Sequence, residues 1–203
     1  MKIIGLTGPS GAGKSTLCEK FEDLGIPCIN TDKLYHDITS KPSPCLDELK
    51  ERFGALIINE NSSLDRVALA KLVFEGENKE KNLEALNQIT HKYIFAETNR
   101  ILNEYLDKGK VAAVIDAPAL LSSKVFIDAC DFIISILCDK EIRVKRIMER
   151  DNISYEKALA RINSQPSDEF FIENSDYYIN NSGTTNEMNE KLLFIFEQEE
   201  INV

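Results

Sequence analysis

One eight-residue pattern, Gly8-Pro9-Ser10-Gly11-Ala12-Gly13-Lys14-Ser15, limits the folds open to this chain more than any other feature. Residues 2–7 before it form an apolar run suited to a strand buried on both faces. After it, Leu17, Phe21 and Leu24 recur at helical spacing, and Gly25 is a helix stop signal. Strand, glycine turn and helix thus follow in the order that a phosphate-binding loop requires. The spacing G-x-x-x-x-G-K-[ST] gives each residue type a task. The glycines let backbone N–H groups curl into a nest for phosphate oxygens. Lys14 brings positive charge to the outer phosphates of a nucleoside triphosphate, and the Ser15 hydroxyl is placed to ligate Mg²⁺. The helix that follows adds the positive end of its dipole. The motif is shared by kinases, switch GTPases and ATPases, so it does not choose among them.

Further apolar runs at residues 26–31, 111–115, 132–137 and 177–180 read as strands. They alternate with helical stretches, which predicts an α/β fold with a five-stranded parallel sheet covered on both faces. Lys41-Pro42-Ser43-Pro44 breaks the chain and opens an inserted helical block. In that block Leu64, Ala68, Leu69 and Leu72 share a face, followed by Leu83, Leu86, Ile89, Tyr93 and Ile94. The last helix, about residues 187–199, carries Met188, Leu192, Ile195 and Phe196 on one side. A chain of 203 residues fits one domain with insertions. The expected organisation is a phosphate-loop core at 1–40, 110–140 and 172–203, a helical insertion at 41–109 and a lid at 141–171.

A net charge of −10 argues against nucleic-acid partners, which need a basic face. It also means that an anionic substrate must be held by a local basic cluster. No run is long and apolar enough for a bilayer, and no apolar signal segment precedes the first strand, which points to the cytoplasm. Cys18, Cys28, Cys45, Cys130 and Cys138 are scattered, as expected of buried thiols in a reducing compartment.

Ligands of open parallel sheets sit beyond the carboxyl ends of the strands. Asp32 ends the second apolar run. It suits a general base facing the γ-phosphate or a second Mg²⁺ ligand; it equally suits an N-cap for a helix starting at Lys33. Asp116 ends the third run, as either a metal-contacting carboxylate or a turn acid before Pro118. Arg143, Arg146 and Arg150 share one helical face. As a group they suit a lid that neutralises a transferring phosphoryl group; individually they suit surface pairs with Glu141, Glu149 and Glu156.

The chain resembles the dephospho-coenzyme A kinase family along nearly its whole length. The matching stretches are Gly5-Leu6-Thr7-Gly8 through Thr16, Leu24-Gly25-Ile26-Pro27 into Asp32, and Leu64-Asp65-Arg66-Val67-Ala68-Leu69. They continue with Ile89-Thr90-His91, Asp116-Ala117-Pro118-Ala119-Leu120-Leu121, Arg146 to Asp151, Ala158 to Gln165, and Ser175 to Gly183. The resemblance implies Mg²⁺- and ATP-dependent phosphorylation of the ribose 3′-hydroxyl of dephospho-CoA, the last step of coenzyme A synthesis. It makes Asp32 the general base, with Lys14 and Arg146 also catalytic. Gly11, Ala12, Gly13, Lys14, Ser15, Thr16, Arg150, Asn181 and Gly183 would bind ATP, the last two near its adenine. Asp32, Arg66, His91, Pro118 and Leu120 would bind the acceptor. The partners implied are these two small molecules, with the protein a monomer or weak oligomer.

The chain departs from the family pattern at four places. Asn30 stands for the first Asp of Asp-x-Asp, Pro9-Ser10 for Gly-Ile, Lys92 for the Pro after histidine, and Ser122-Ser123 for Phe-Glu. A nucleoside or nucleoside monophosphate kinase is the alternative reading. A guanine-specific switch would carry Asn-Lys-x-Asp, and Cys138-Asp139-Lys140-Glu141 does not match it.

Overall fold

The computed structural model describes residues 1–75 and 78–202. The chain divides into two compact units: Met1–Ile29 with Leu102–Val203, and Asn30–Ile101. The second unit therefore starts before the expected edge at 41 and ends before the expected edge at 109.

The first unit is built on a parallel sheet of order β2-β3-β1-β4-β5. Its strands are β1 (Lys2–Thr7), β2 (Cys28–Asn30), β3 (Ala112–Asp116), β4 (Phe132–Leu137) and β5 (Tyr177–Asn180). Every residue of β3 and β4 is buried, which is why both read as unbroken apolar runs. On one face, α1 (Lys14–Asp23) and α10 (Thr185–Gln198) press Leu17, Phe21, Leu192, Ile195 and Phe196 onto Ile4, Leu6, Ile134 and Ile136. The rings of Phe21 and Phe196 lie 5.9 Å apart, both almost wholly buried. Each such burial contributes about 1.5–3 kcal/mol. On the other face a Cβ at Gly5 would come within 2.9 Å of Leu120 and of Cys130, so this strand position packs bare backbone.

β2 is shorter than the expected 26–31. Pro27 accepts from Val114 N–H at 2.9 Å but has no N–H of its own, so the strand proper starts at Cys28. Leu24 is exposed, because α1 has already ended and the residue serves as its C-cap.

α6 (Lys124–Ala129) follows a short 3-10 turn at Leu120–Ser122. Three further helices precede β5: α7 (Lys140–Asp151), α8 (Tyr155–Asn163) and α9 (Asp168–Glu173). α7 and α8 share a small core of Val144, Ile147, Ala158 and Ile162. Burying Val144 and Ile147 turns Arg143, Arg146 and Arg150 to another side of α7.

The second unit is helical: α2 (Thr31–Thr39), α3 (Pro44–Phe53), α4 (Arg66–Phe74) and most of α5 (Lys79–Asp107). Its core gathers Cys45, Leu46, Leu49, Ile57, Leu64, Leu69, Val73 and Ile89. Leu72 and Leu83, expected on the buried face, are exposed. Val73 takes the buried place beside Leu69 instead. Among the described residues no helix is long and apolar enough to cross a membrane.

Candidate active site

The loop between β1 and α1 is shaped from both ends. α1 begins at Lys14, ahead of the first apolar position Leu17, with Gly13 at the N-cap in the left-handed region (φ 106°). The N-cap residue is a glycine and brings no capping side chain of its own, and the positive end of the helix dipole faces the loop. Lys14 Nζ donates to Gly8 O at 2.9 Å, folding the lysine back over the loop.

The loop's outer carbonyls are held by side chains from elsewhere in the same unit. Arg143 Nε donates to Ser10 O at 3.0 Å. Asn181 Nδ2 donates to Ala12 O at 2.8 Å, and Arg146 Nη1 reaches Gly11 O at 3.2 Å and Ala12 O at 3.4 Å. A trans peptide points its C=O and N–H in opposite directions. Holding the Ser10 and Ala12 carbonyls outward therefore turns the N–H groups of Gly11 and Gly13 the other way, as a phosphate nest requires.

Three of the expected groups meet here. Arg146 and Arg150 both reach the loop, Arg150 through Nη2 to Ser10 Oγ at 3.4 Å. Asn181 is anchored by its own N–H to Leu137 O at 2.7 Å, so the ends of β4 and β5 position its amide. The ion pairs of this arginine face run to Asp168 and Asp151 rather than to Glu141, Glu149 or Glu156. Arg150 and Arg161 both bond Asp151 and hold its carboxyl down at about 2. Ser15 and Thr16 are exposed in the first turn of α1.

The turn after β3 lies beside the loop's base. The register sets Asp116 against Leu6, Ala117 N–H donates to Leu6 O at 3.1 Å, and Thr7 Oγ1 donates to Pro118 O at 3.3 Å. Asp116 is buried and Pro118 exposed. Leu120, expected as an acceptor contact, is fully buried; it packs beneath this turn in the core and has no surface to offer. Gly183 is exposed, and Glu187 fills the space its side chain would take. That carboxylate accepts from Thr184 N–H at 2.7 Å as half of a capping box for α10.

The second unit carries Asp32, Arg66 and His91. Asn30, not Asp32, caps α2: its side chain accepts from Lys33 N–H at 2.8 Å. The helix starts at Thr31, which leaves Asp32 exposed in the first turn and outside the capping role. Arg66 lies over the Tyr35 ring at 5.3 Å and donates to Thr39 Oγ1 at 3.4 Å. Burial raises the Tyr35 phenol, and the Arg66 charge opposes that rise. Burial lowers the His91 imidazole and so favours its neutral form. Lys92 joins Glu48 at 2.6 Å and Tyr93 reaches the same carboxylate at 2.7 Å, tying α5 to α3. Among the described residues no three His, Cys, Asp or Glu side chains gather as a metal cluster.

Sequence reasoning missed Gln165 and Asp168, and it put Arg143 on the right face without a partner. Helical spacing was a signal for Arg143. The family-like stretch Ala158 to Gln165 ends on Gln165 but gives it no partner, since Ser10 and Arg143 are distant in sequence.

The fold and loop agree with the comparisons. The family model for dephospho-CoA kinase matches residues 2–187. A dephospho-CoA kinase from Bacillus cereus is 38% identical over 182 residues, covering 90% of this chain and 89% of that protein. The solved structure of TT1252 from Thermus thermophilus matches with a TM-score of 0.79 and 28% identity, covering 98% of this chain and 97% of the other. Dephospho-CoA kinase from Campylobacter jejuni matches with a TM-score of 0.67 and 26% identity, covering 98% of each chain. With a phosphate loop on a five-stranded parallel sheet and a family match over most of its length, the chain belongs to the dephospho-CoA kinase family.

Proposed function

We propose that this chain transfers the γ-phosphoryl group of ATP to the ribose 3′-hydroxyl of dephospho-CoA, giving CoA and ADP. The observation that carries the reading is the phosphate nest, whose outer carbonyls are held by Arg143, Arg146 and Asn181 ahead of the N-terminus of α1. Phosphoryl transfer asks a protein for positioning and charge neutralisation more than for covalent chemistry.

In this reading Lys14 exchanges the Gly8 carbonyl for the β- and γ-phosphates, a side-chain movement within the loop. Arg146 and Arg150 offset the charge that spreads over the transferring group. Asp32 accepts the proton of the attacking hydroxyl, with the helix cap left to Asn30. Arg66 presents an exposed positive charge braced by Tyr35, and His91 a neutral imidazole, to the acceptor, together with Pro118. Mg²⁺ needs one or two protein oxygens when nucleotide phosphates and water complete its shell. The exposed Ser15 hydroxyl, in the first turn of α1, fits as one of them, with Asp32 a second candidate. The bound ion would neutralise phosphate charge.

By task, residues 1–40, 110–140 and 172–203 form the nucleotide core, 41–109 the acceptor insertion, and 141–171 an arginine-bearing lid. The adenine lies near Asn181 and Gly183. Five free cysteines without a disulfide support a reducing compartment such as the cytoplasm.

The test is direct. Protein incubated with ATP, Mg²⁺ and dephospho-CoA should yield a product heavier by one phosphoryl group. Phosphorylation of a nucleoside or nucleoside monophosphate in place of dephospho-CoA would overturn the acceptor. Lys14→Ala is expected to weaken ATP binding at least about tenfold, or 1.4 kcal/mol. Calorimetry giving native affinity would remove Lys14 from the phosphate site.

A further inference from the structure

Ser10 sits at the outer turn of the phosphate loop, and both of its backbone polar groups are taken by two side chains, one from α7 and one from just past the end of α8. Its N–H donates to Gln165 Oε1 at 3.0 Å. Its C=O accepts from Arg143 Nε at 3.0 Å. The ring closes because Arg143 Nη2 donates to the same Gln165 oxygen at 3.2 Å. Asp168 holds the remaining arm of the guanidinium, Nη1 to Oδ1 at 3.3 Å.

Arg143 is 4% exposed, an unusual placement for an arginine. A charge taken out of water must be paired or hydrogen-bonded, and here each nitrogen of the guanidinium has a named acceptor. The contact is close on a second ground. A Cβ built on Gly11 would fall 2.9 Å from Arg143 O and 3.1 Å from its Cα, so the backbone of α7 rests against the loop itself.

We infer that Arg143 and Gln165 are positioning residues for nucleotide binding. Arg143 fixes the Ser10–Gly11 peptide and so aims the Gly11 N–H at the phosphates, while Gln165 holds the preceding Pro9–Ser10 peptide and braces the guanidinium. The planar guanidinium suits this task, since it meets three acceptors in fixed directions, and a lysine ammonium cannot reproduce that fork. Asp168 has a lesser part, because its carboxylate is 43% exposed and solvent screens the pair. The proposal rests on the loop binding a nucleotide phosphate, not on the identity of the acceptor.

The experiment measures binding of Mg²⁺ with a non-hydrolysable ATP analogue by calorimetry, alongside KM for each substrate and the melting temperature. Gln165→Leu removes the shared acceptor oxygen, and a tenfold loss of analogue affinity is expected. Gln165→Glu keeps an oxygen for both donors and should stay within about threefold of native, which constitutes a rescue. Arg143→Lys should raise KM for ATP several-fold while KM for the acceptor stays within twofold. Asp168→Asn should move neither by more than about twofold. Native analogue affinity in both Gln165→Leu and Arg143→Lys would overturn the proposal. So would equal losses in Gln165→Leu and Gln165→Glu, or a rise in both KM values in step with a fallen melting temperature. Failure of the acceptor assignment leaves the analogue measurement intact, so the two readings fail separately.

Discussion

Asp32→Asn is expected to cut turnover at least about a hundredfold while leaving ATP affinity within a factor of about three. Substitution by the amide keeps size and polarity but removes the proton acceptor. General-base catalysis contributes about 10²–10⁴ in rate, so the loss should be plain in steady-state assays. Two structural facts make the experiment clean. Asp32 is exposed, so the change disturbs no core packing. The helix cap is supplied by Asn30 Oδ1 to Lys33 N–H at 2.8 Å, so Asn at position 32 does not loosen the start of α2. Turnover and calorimetric ATP affinity should be measured on the same preparation. Near-native turnover would reject Asp32 as the base. A parallel loss of ATP affinity would instead assign it to the metal. The neighbouring Asn30 gives a control. Asn30→Asp keeps a capping side chain. It should hold melting temperature while changing the charge beside Asp32.

Much of this site could be read in the residues, and the part that could not has identifiable physical causes. β3 and β4 were visible because a strand buried on both faces must be apolar throughout. α10 was visible because Met188, Leu192, Ile195 and Phe196 bury one stripe against the sheet. The start of β2 was misjudged because hydropathy does not count N–H groups, and Pro27 lacks the one that pairing needs. The cap of α2 lies at Asn30, before the candidate Asp32. Asn and Asp cap about equally well, so with both residues close together the composition could not choose. In α4 apolar residues occur nearly all round, so the sequence could not say that Val73 would be buried and Leu72 exposed. The arginine face was legible as a face, since spacing fixes which side chains share a side of α7. Its contacts were not. Whether Arg143 pairs with Glu141 nearby or with Ser10 and Asp168 depends on how α7 packs on α8 and the loop. Gln165 closes a family-like stretch, but its role could not be read there, because that role exists only after Ser10 has been brought to it.

Gly8→Ala and Gly13→Ala should separate the stability of the fold from the binding of nucleotide. Both glycines have positive φ, 140° at Gly8 and 106° at Gly13, where an L side chain is strained. What an added methyl group meets differs. At Gly8 its Cβ would fall 2.2 Å from Ile136 O. That oxygen is backbone of β4, which is paired to β1 on one side and β5 on the other, so it cannot step aside without opening the sheet. At Gly13 the obstacle is Asn181 Nδ2 at 2.1 Å, the far end of a side chain. The amide can rotate away, giving up its 2.8 Å bond to Ala12 O. Gly8→Ala therefore combines backbone strain with a clash in the central sheet, about 3 kcal/mol or more. For a chain of this size that is a fall of about 6–12 °C in melting temperature. Gly13→Ala should cost stability about 2–3 kcal/mol, from one hydrogen bond and one left-handed residue. Its larger effect should be on ATP, because the Ala12 carbonyl keeps only its 3.4 Å contact with Arg146 and the Gly13 N–H loses part of its aim. Adding Asn181→Ala to Gly13→Ala should restore part of the stability by clearing the space, and none of the ATP affinity, since the shorter of the two bonds to that carbonyl is then gone for good. Thermal denaturation and calorimetry on the three variants decide it. A native melting temperature in Gly8→Ala, or recovery of ATP binding in the double variant, would mean that the loop is not held as described.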